Sequence, residues 1–86
     1  MNRQDLEAEI RSTLTALTDA DATQVPIDED LSSELGLDSL GRLELLSEVE
    51  DRLGVIIYDV DTAQILTIGS MIELCEAAMA QNMEQA

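Results

Sequence analysis

The chain has 86 residues and a formal net charge of −15 at neutral pH, because 19 acidic residues stand against four arginines, with no lysine or histidine. A charge of this size and sign repels nucleic acid and anionic membrane surfaces and attracts proteins with basic patches. We expect one domain over residues 1–86 with an aliphatic core, since Tyr58 is the only aromatic residue.

The lone Cys75 excludes an internal disulfide, and no basic, apolar and small-residue export segment precedes the first predicted helix. No apolar run approaches the roughly 20 residues that a membrane span requires. We therefore expect a protein of the reducing cytoplasm without membrane insertion, and we predict that it is a monomer.

Hydrophobic periodicity predicts an all-α chain. The first helix is predicted over residues 3–18, where four apolar residues recur at helical spacing: Leu6, Ile10, Leu14 and Leu17. From residue 19 to 38 this periodicity lapses, so we expect a long connection with a helical turn at residues 32–35. Four apolar residues are expected to hold the connection across the core: Ile27, Leu31, Leu35 and Leu37.

The second helix is predicted over residues 39–53, after Asp38, whose carboxylate can accept hydrogen bonds from free backbone N–H groups. Its inner side consists of Leu46, Val49 and Leu53. The opposite side is acidic and consists of Glu44, Glu48 and Asp51. Gly54 breaks the helix, and we expect residues 55–57 to form a loop.

A short third helix is predicted over residues 59–66, with Val60, Ala63 and Leu66 facing inward. The fourth helix is predicted over residues 68–81, with Thr67 as its cap. Its inner side consists of Ile68, Met71, Ile72, Cys75 and Met79. This position indicates that Cys75 is a buried apolar residue and not a reactive thiol or a metal ligand.

Four side chains of the long connection are spaced like ligands one, three, five and twelve of a calcium-binding loop: Asp19, Asp21, Thr23 and Asp30. Gln24 occupies the position that requires glycine, and Pro26 stiffens the segment. We therefore favour an ordinary solvated acidic loop that binds divalent cations loosely. A structural zinc site is excluded because the chain has no histidine and no second cysteine.

Ser39 lies in the first turn of the second predicted helix, in a chain without histidine or lysine to act as a base. We therefore do not expect it to be a hydrolytic nucleophile. Serine is common in first turns as a capping residue, but Asp38 already serves that purpose. A hydroxyl beside a helix N-terminus is well placed for a phosphate, because free amides and the helix dipole stabilise its charge.

Leu40 and the acidic side of the second helix lie together beside Ser39. An acidic helix face is often only a solvated surface. Its position beside an exposed leucine favours a docking surface, because a partner with an apolar notch and a basic rim would recognise both features. The predicted contacts are Leu40, Glu44, Glu48 and Asp51.

One run of residues resembles the modification motif of the acyl carrier proteins: Leu35-Gly36-Leu37-Asp38-Ser39-Leu40, followed by Leu43-Glu44-Leu45. The similarity of layout extends over essentially the whole chain and includes Pro26, Asp59-Val60-Asp61 and Thr67-Ile68-Gly69. The resemblance implies a four-helix bundle with a long loop between helices 1 and 2 and a short third helix.

The resemblance also implies that a phosphopantetheinyl transferase moves 4'-phosphopantetheine from coenzyme A onto the hydroxyl of Ser39. Acyl groups would then be carried as thioesters on this arm, so the chain would be a carrier and not an enzyme. The implied partners are an acyltransferase or acyl-ligase, a ketosynthase and other acyl-processing enzymes with basic docking surfaces. The residues facing them would be Asp38, Leu40, Glu44, Glu48 and Asp51.

The second helix departs from typical fatty-acid carriers at Gly41, Arg42 and Ser47, where acidic or apolar residues are frequent. We therefore favour a discrete bacterial carrier for polyketides or other specialised metabolites. A housekeeping fatty-acid carrier and a free-standing aminoacyl or peptidyl-type carrier stay open.

Arg42 falls on the inner side of the second predicted helix. One interpretation is that its stem covers apolar surface while its guanidinium reaches solvent. The other is that it contacts a polar or carboxylated acyl unit.

A different class of protein also stays open. An acidic helical adaptor or a calcium-binding protein would have the carrier fold without a prosthetic group. Attachment of an arm to Ser39 distinguishes a carrier from both of these.

Overall fold

All regular structure in the described part of the chain is helical, which confirms the all-α prediction. The computed structural model describes residues 2–57 and 65–85, with side chains described as far as residue 80. The elements are α1 (Arg3–Thr18), a 3-10 turn (Ala22–Gln24), α2 (Leu31–Leu35), α3 (Ser39–Leu53) and α4 (Ile68–Gln85). Because α1 packs against both α3 and α4, it is the central helix of the fold.

The apolar side of α1 forms the middle of the core. Asn2 caps the helix by accepting a hydrogen bond from the Asp5 N–H at 2.9 Å. Leu6, Ile10 and Leu14 are fully buried, and Leu17 packs against the core from its edge. The predicted first helix and its inner residues are therefore confirmed.

Helices α3 and α4 both pack against α1 and enclose the core with it. The buried residues of α3 are Leu45, Leu46 and Val49, with Leu53 partly buried. Those of α4 include Ile68, Met71, Ile72 and Cys75, with Met79 at the edge.

Burial raises the pKa of the Cys75 thiol to about 11, and the nearby Glu76 carboxylate adds to the effect. The thiol is therefore protonated at neutral pH, in keeping with the predicted packing role.

The long connection between α1 and α3 is held to the start of α4 by backbone hydrogen bonds. The Gly69 N–H donates to the Ile27 carbonyl, and the Leu31 N–H donates to the Leu66 carbonyl, both at 2.8 Å. Leu31 and Leu37 are buried as predicted. The Ile27 side chain is 42 % exposed, so the expectation that it packs across the core is wrong. Its backbone carbonyl makes the attachment instead.

Arg11 joins α1 to the same connection. Its Nη1 donates to the Ala22 carbonyl at 2.8 Å and to the Val25 carbonyl at 2.6 Å, while its Nε donates to Glu7 at 3.0 Å. Only 15 % of the Arg11 side chain is exposed, so these bonds are shielded from water. A charged donor thus satisfies two carbonyl groups that lie outside any long helix.

The segment between α3 and α4 differs in part from the prediction. α3 ends before Gly54, and residues 55–57 form a loop, as predicted. Most of the predicted third helix, with Val60 and Ala63, lies outside the described residues. Leu66, predicted to face inward, is 45 % exposed, whereas Ile65 is buried. These two residues are not helical, so a helical wheel does not predict which of them is buried.

The fourth helix is longer than predicted, since α4 continues to Gln85 and not only to residue 81. Thr67 caps it as predicted, because its Oγ1 accepts a hydrogen bond from the Ser70 N–H at 3.0 Å. None of the helices in the described ranges has the length and apolar character of a membrane span.

We predict that Arg11→Met lowers the free energy of unfolding by about 2 kcal/mol, because two shielded carbonyls lose a charged donor. Arg3→Met is the matched control. It removes the same charge, but the Arg3 side chain is 51 % exposed and pairs with the exposed Glu76, so its loss should cost at most about 1 kcal/mol. Urea unfolding at constant ionic strength measures both. Equal losses for the two variants would contradict this role of Arg11.

Candidate functional site

The start of α3 is positioned by the short helix that precedes it. α2 ends at Gly36, whose left-handed conformation (φ 65°) favours glycine and turns the chain towards α3. Leu37 follows and is only 5 % exposed. The residue two positions before Ser39 is therefore fixed in the core, and this fixes where α3 begins.

Asp38 caps α3 as predicted. Its Oδ1 accepts a hydrogen bond from the Gly41 N–H at 2.8 Å, and its backbone carbonyl accepts from the Arg42 N–H at 2.9 Å. Ser39 is the first residue of the helix and is exposed. Its hydroxyl has no hydrogen-bond partner within the described ranges, so the cap leaves it accessible.

Gly41 explains how the first turn of α3 lies so close to the preceding loop. A Cβ atom at this position would lie 2.8 Å from Leu37 Cδ1, which is closer than van der Waals contact allows. The absence of a side chain at Gly41 therefore lets Leu37 pack under the turn that carries Ser39. This departure from fatty-acid carriers has a packing reason.

The backbone around Ser39 suits an attached phosphate. The Gly41 and Arg42 N–H groups are bonded to Asp38, whereas the N–H groups of Ser39 and Leu40 have no partner in the described structure. Free N–H groups at the positive end of a helix dipole bind phosphate. The accessible hydroxyl and these donors fit a phosphate ester on Ser39, and the surrounding chain contributes no histidine or lysine base.

Four of the predicted docking residues share one exposed side of α3, and Asp38 caps the N-terminus of that helix. Asp38, Leu40, Glu44, Glu48 and Asp51 are all exposed, and Leu40 is exposed to 63 %. The ion pairs of the described residues use Arg3, Arg11 and Arg52, and none involves these carboxylates. Within the described ranges, the acidic side of α3 therefore forms no internal ion pair.

Leu43 belongs to the same surface, although the sequence interpretation treated Leu40 as the lone exposed leucine. Leu43 is 51 % exposed and lies three residues after Leu40, on the same side of the helix. The three-residue spacing from Leu40 is the sequence feature that could have predicted this position of Leu43. We define the α3 surface as Asp38, Leu40, Leu43, Glu44, Glu48 and Asp51.

Arg42 lies on the other side of the first turn of α3. Its Nη2 donates to the hydroxyl of Ser32 in α2, and that hydroxyl donates to the Leu37 carbonyl at 2.8 Å. Its Nε is buried and has no hydrogen-bond partner in the described structure. The guanidinium is thus held against α2, whereas one of the two sequence interpretations placed it in free solvent. Contact with an acyl unit stays a hypothesis.

The acidic connection does not assemble a metal site in the described structure. Across residues 2–57 and 65–80, no group of three or more acidic or cysteine side chains is placed to hold a metal ion. Hydrogen bonds from the hydroxyl and then the N–H of Thr23 lower the pKa of Asp21. The Asp21 carboxylate thus caps its own local turn.

Two open surface depressions lie away from Ser39. One, of about 570 Å³, is on α1 around Ala8, Ser12 and Ala16, and another, of about 280 Å³, is on α4 around Ser70 and Leu74. Neither includes a residue of α3. Ser39 is therefore presented on an exposed turn and not inside either depression.

Comparison with known proteins identifies the family. Residues 8–75 match the family described as "Phosphopantetheine attachment site". The chain is 32 % identical to an acyl carrier protein of Saccharopolyspora erythraea, over 86 % of this chain and 78 % of that protein. It is 26 % identical to an acyl carrier protein of Rhodococcus erythropolis, over 95 % of this chain and 90 % of that protein.

A further relative is much longer. The chain is 33 % identical to part of a polyunsaturated fatty acid synthase of Thraustochytrium sp., over 86 % of this chain but only 3 % of that protein. Family membership implies a covalently attached phosphopantetheine group, a transferase that attaches it and acyl-processing enzymes as partners. The chain belongs to the acyl carrier protein family, and it is a carrier and not an enzyme.

Proposed function

We propose that Ser39 is the attachment point of the 4'-phosphopantetheine arm. The observation that carries this proposal is the accessible Ser39 hydroxyl in the first turn of α3. Leu37 fixes the turn in the core, and Asp38 caps it without using the hydroxyl. The free N–H groups of Ser39 and Leu40 would stabilise the negative charge of a phosphodiester.

The attachment is a phosphoryl transfer. Ser39 Oγ forms a bond to the coenzyme A phosphorus that bears the pantetheine, and the bond from that phosphorus to the nucleotide breaks, which releases adenosine 3',5'-bisphosphate. The hydroxyl proton passes to a base of the transferase, since this chain has neither histidine nor lysine. The arm then supplies the thiol on which acyl units are carried as thioesters.

We further propose that the α3 surface docks the transferase and the acyl-processing enzymes, among them an acyltransferase or acyl-ligase and a ketosynthase. Leu40 and Leu43 provide a small apolar anchor, and Glu44, Glu48 and Asp51 surround it with unpaired negative charge. Basic surfaces on the partners would be steered to this side by the net charge of −15. Electrostatic steering combined with a small apolar anchor gives fast association and fast release, as a carrier that visits several enzymes requires.

We propose a role in polyketide or other specialised-metabolite biosynthesis, in a reducing cytoplasm. Gly41, Arg42 and Ser47 support this choice, because acidic or apolar residues are frequent at these three positions in fatty-acid carriers. The Gly41 contact with Leu37 and the Arg42 bond to Ser32 make this turn locally distinct.

We predict that a broad-specificity phosphopantetheinyl transferase adds one arm to the protein in the presence of coenzyme A. The Ser39→Ala variant should remain unmodified, because no other hydroxyl lies at the capped start of α3. Ser47→Ala is the control, since Ser47 is also exposed on α3 and should not affect loading. Intact-mass spectrometry measures the product. A folded wild-type protein that stays unmodified, or a Ser39→Ala variant that is modified, contradicts the assignment of Ser39.

We predict that Glu48→Gln slows loading by the transferase by about fivefold at low salt, because a charge at the rim of an interface mainly affects association. The difference should shrink as salt is added. Glu73→Gln is matched in charge and exposure but lies on α4, outside the α3 surface, and should load like the wild type. Initial loading rates by mass spectrometry test this. Equal slowing in the two variants would indicate a general charge effect and not docking on α3.

The pathway is tested by the acyl groups on protein isolated from its native host. We expect short or functionalised units on the peptide that contains Ser39, as specialised-metabolite assembly requires, and peptide mass spectrometry identifies them. Long saturated or polyunsaturated chains would instead show a fatty-acid carrier. Amino acids bound as thioesters would show an aminoacyl-type carrier, and either result would overturn the proposed pathway.

A further inference from the structure

Arg42 is unusual among the arginines of this chain. Arg3, Arg11 and Arg52 each lie near a glutamate, with nitrogen-to-oxygen distances of 2.7, 3.0 and 3.8 Å. Arg42 forms no ion pair with any residue of the described ranges, although the chain has 19 acidic residues. It is therefore a cation on α3, three residues after Ser39, with no ion-pair partner in the described structure.

The hydrogen bonds of Arg42 are also incomplete. A guanidinium has five N–H donors, yet Nη2 bonds only the neutral Ser32 hydroxyl, and the buried Nε has no partner among the described residues. A buried donor without a partner carries a free-energy penalty, and a charged one carries more. The observed arrangement is thus poorly satisfied and would be improved by an oxyanion within reach.

The position of Arg42 determines which oxyanion that is. Residues three apart on a helix are neighbours, and long helical side chains lean back towards the N-terminus. The Arg42 side chain therefore leans towards the turn that carries Ser39. A phosphate on Ser39 would be attached one helical turn before Arg42, next to the free N–H groups of Ser39 and Leu40.

We propose that Arg42 is a positioning residue for the phosphodiester that joins the arm to Ser39. On attachment of the arm, the guanidinium exchanges the Ser32 hydroxyl for phosphate oxygens, which accept its paired donors well. This inference rests on the proposed function, because it takes Ser39 as the attachment point.

The phosphate is favoured over a carboxylated acyl unit for a reason of tethering. The phosphate is fixed three residues from Arg42 in every loaded molecule, whereas an acyl carboxylate sits at the far end of a flexible arm. A group held close by has the higher effective concentration and is bound first.

The exchange has a structural consequence at α2. Ser32 links Arg42 to the Leu37 carbonyl, so release of the guanidinium removes one connection between the five-residue α2 and α3. The phosphate end of the arm becomes fixed to α3, while α2 loses its hydrogen bond with Arg42. The unloaded and loaded forms would therefore differ beside the α3 surface, and partner enzymes would meet two distinguishable states.

The test compares unloaded and loaded protein for the wild type, Arg42→Gln and Arg42→Lys. Arg52→Gln is the matched control, since Arg52 lies on the same helix but pairs with Glu9. Intact mass first establishes that each variant carries the arm. Phosphorus NMR of the loaded forms then reports the phosphodiester, and thermal unfolding gives the change in Tm on loading.

We expect loading to raise the Tm of the wild type and of Arg52→Gln by the same amount. The increase should be lost in Arg42→Gln and partly kept in Arg42→Lys, which retains the charge without the planar fork. The phosphodiester resonance should shift in Arg42→Gln and stay in place in Arg52→Gln. Nitrogen NMR of the wild type, which needs no substitution, should show the Arg42 Nε–H resonance moving when the arm is attached.

Three results would overturn the inference. One is an Arg42 Nε–H resonance that stays unchanged on loading, together with equal phosphorus resonances in wild type and Arg42→Gln. Another is a change in these resonances that occurs only when the thioester bears a dicarboxylic acyl unit and not an acetyl unit. That result would indicate that Arg42 contacts the acyl cargo. In both, Ser39 still carries the arm and the proposed function stands. If Ser39 accepts no arm at all, the proposed function and this inference fail together.

Discussion

The presentation of Ser39 depends on how the connection between α1 and α3 is attached to the rest of the fold. This connection contains little regular structure, so its conformational entropy must be offset by fixed contacts. Backbone bonds from Gly69 to Ile27 and from Leu31 to Leu66 attach it to the start of α4. Arg11 attaches it to α1, and buried Leu37 ends it directly before the cap of α3. If these contacts were lost, α3 could still form a helix, but its first turn would have no fixed position relative to the rest of the fold.

The few positive charges are distributed in a way that serves both folding and docking. Arg3 links α1 to α4, Arg11 links α1 to the connection, and Arg52 links α3 to α1. The ion pairs of Arg3 and Arg52 relieve repulsion between helices that pack together in a chain with a net charge of −15. Within the described ranges, the exposed carboxylates of α3 receive none of this compensation. The repulsion left on that side is a cost to stability, and it favours association with a basic partner.

The features that were predictable here depend on local sequence, which one chain contains in full. The buried residues of α1 and α4 follow helical periodicity, and the motif around Ser39 is distinctive in a chain without a catalytic base. The other features depend on contacts between distant residues, which periodicity does not encode. Ile27 is attached through its carbonyl because Gly69 lies beside it, and the Arg42 bond to Ser32 requires α2 to pack beside α3. Such tertiary contacts decide which polar atoms are satisfied, and therefore which remain free for a ligand.

A carrier without a catalytic base can influence its reactions only through geometry and recognition. Both are determined within the first turns of α3 in this chain. Gly41 allows Leu37 to fix the turn from below, Asp38 orders the backbone without occupying the hydroxyl, and Leu40 and Leu43 face outward beside it. In the proposed function attachment and docking share one helix, so a partner that binds the α3 surface would also receive the phosphate end of the arm at a fixed distance. The partner enzyme would then catalyse the reaction, while this chain would determine where the thioester is placed.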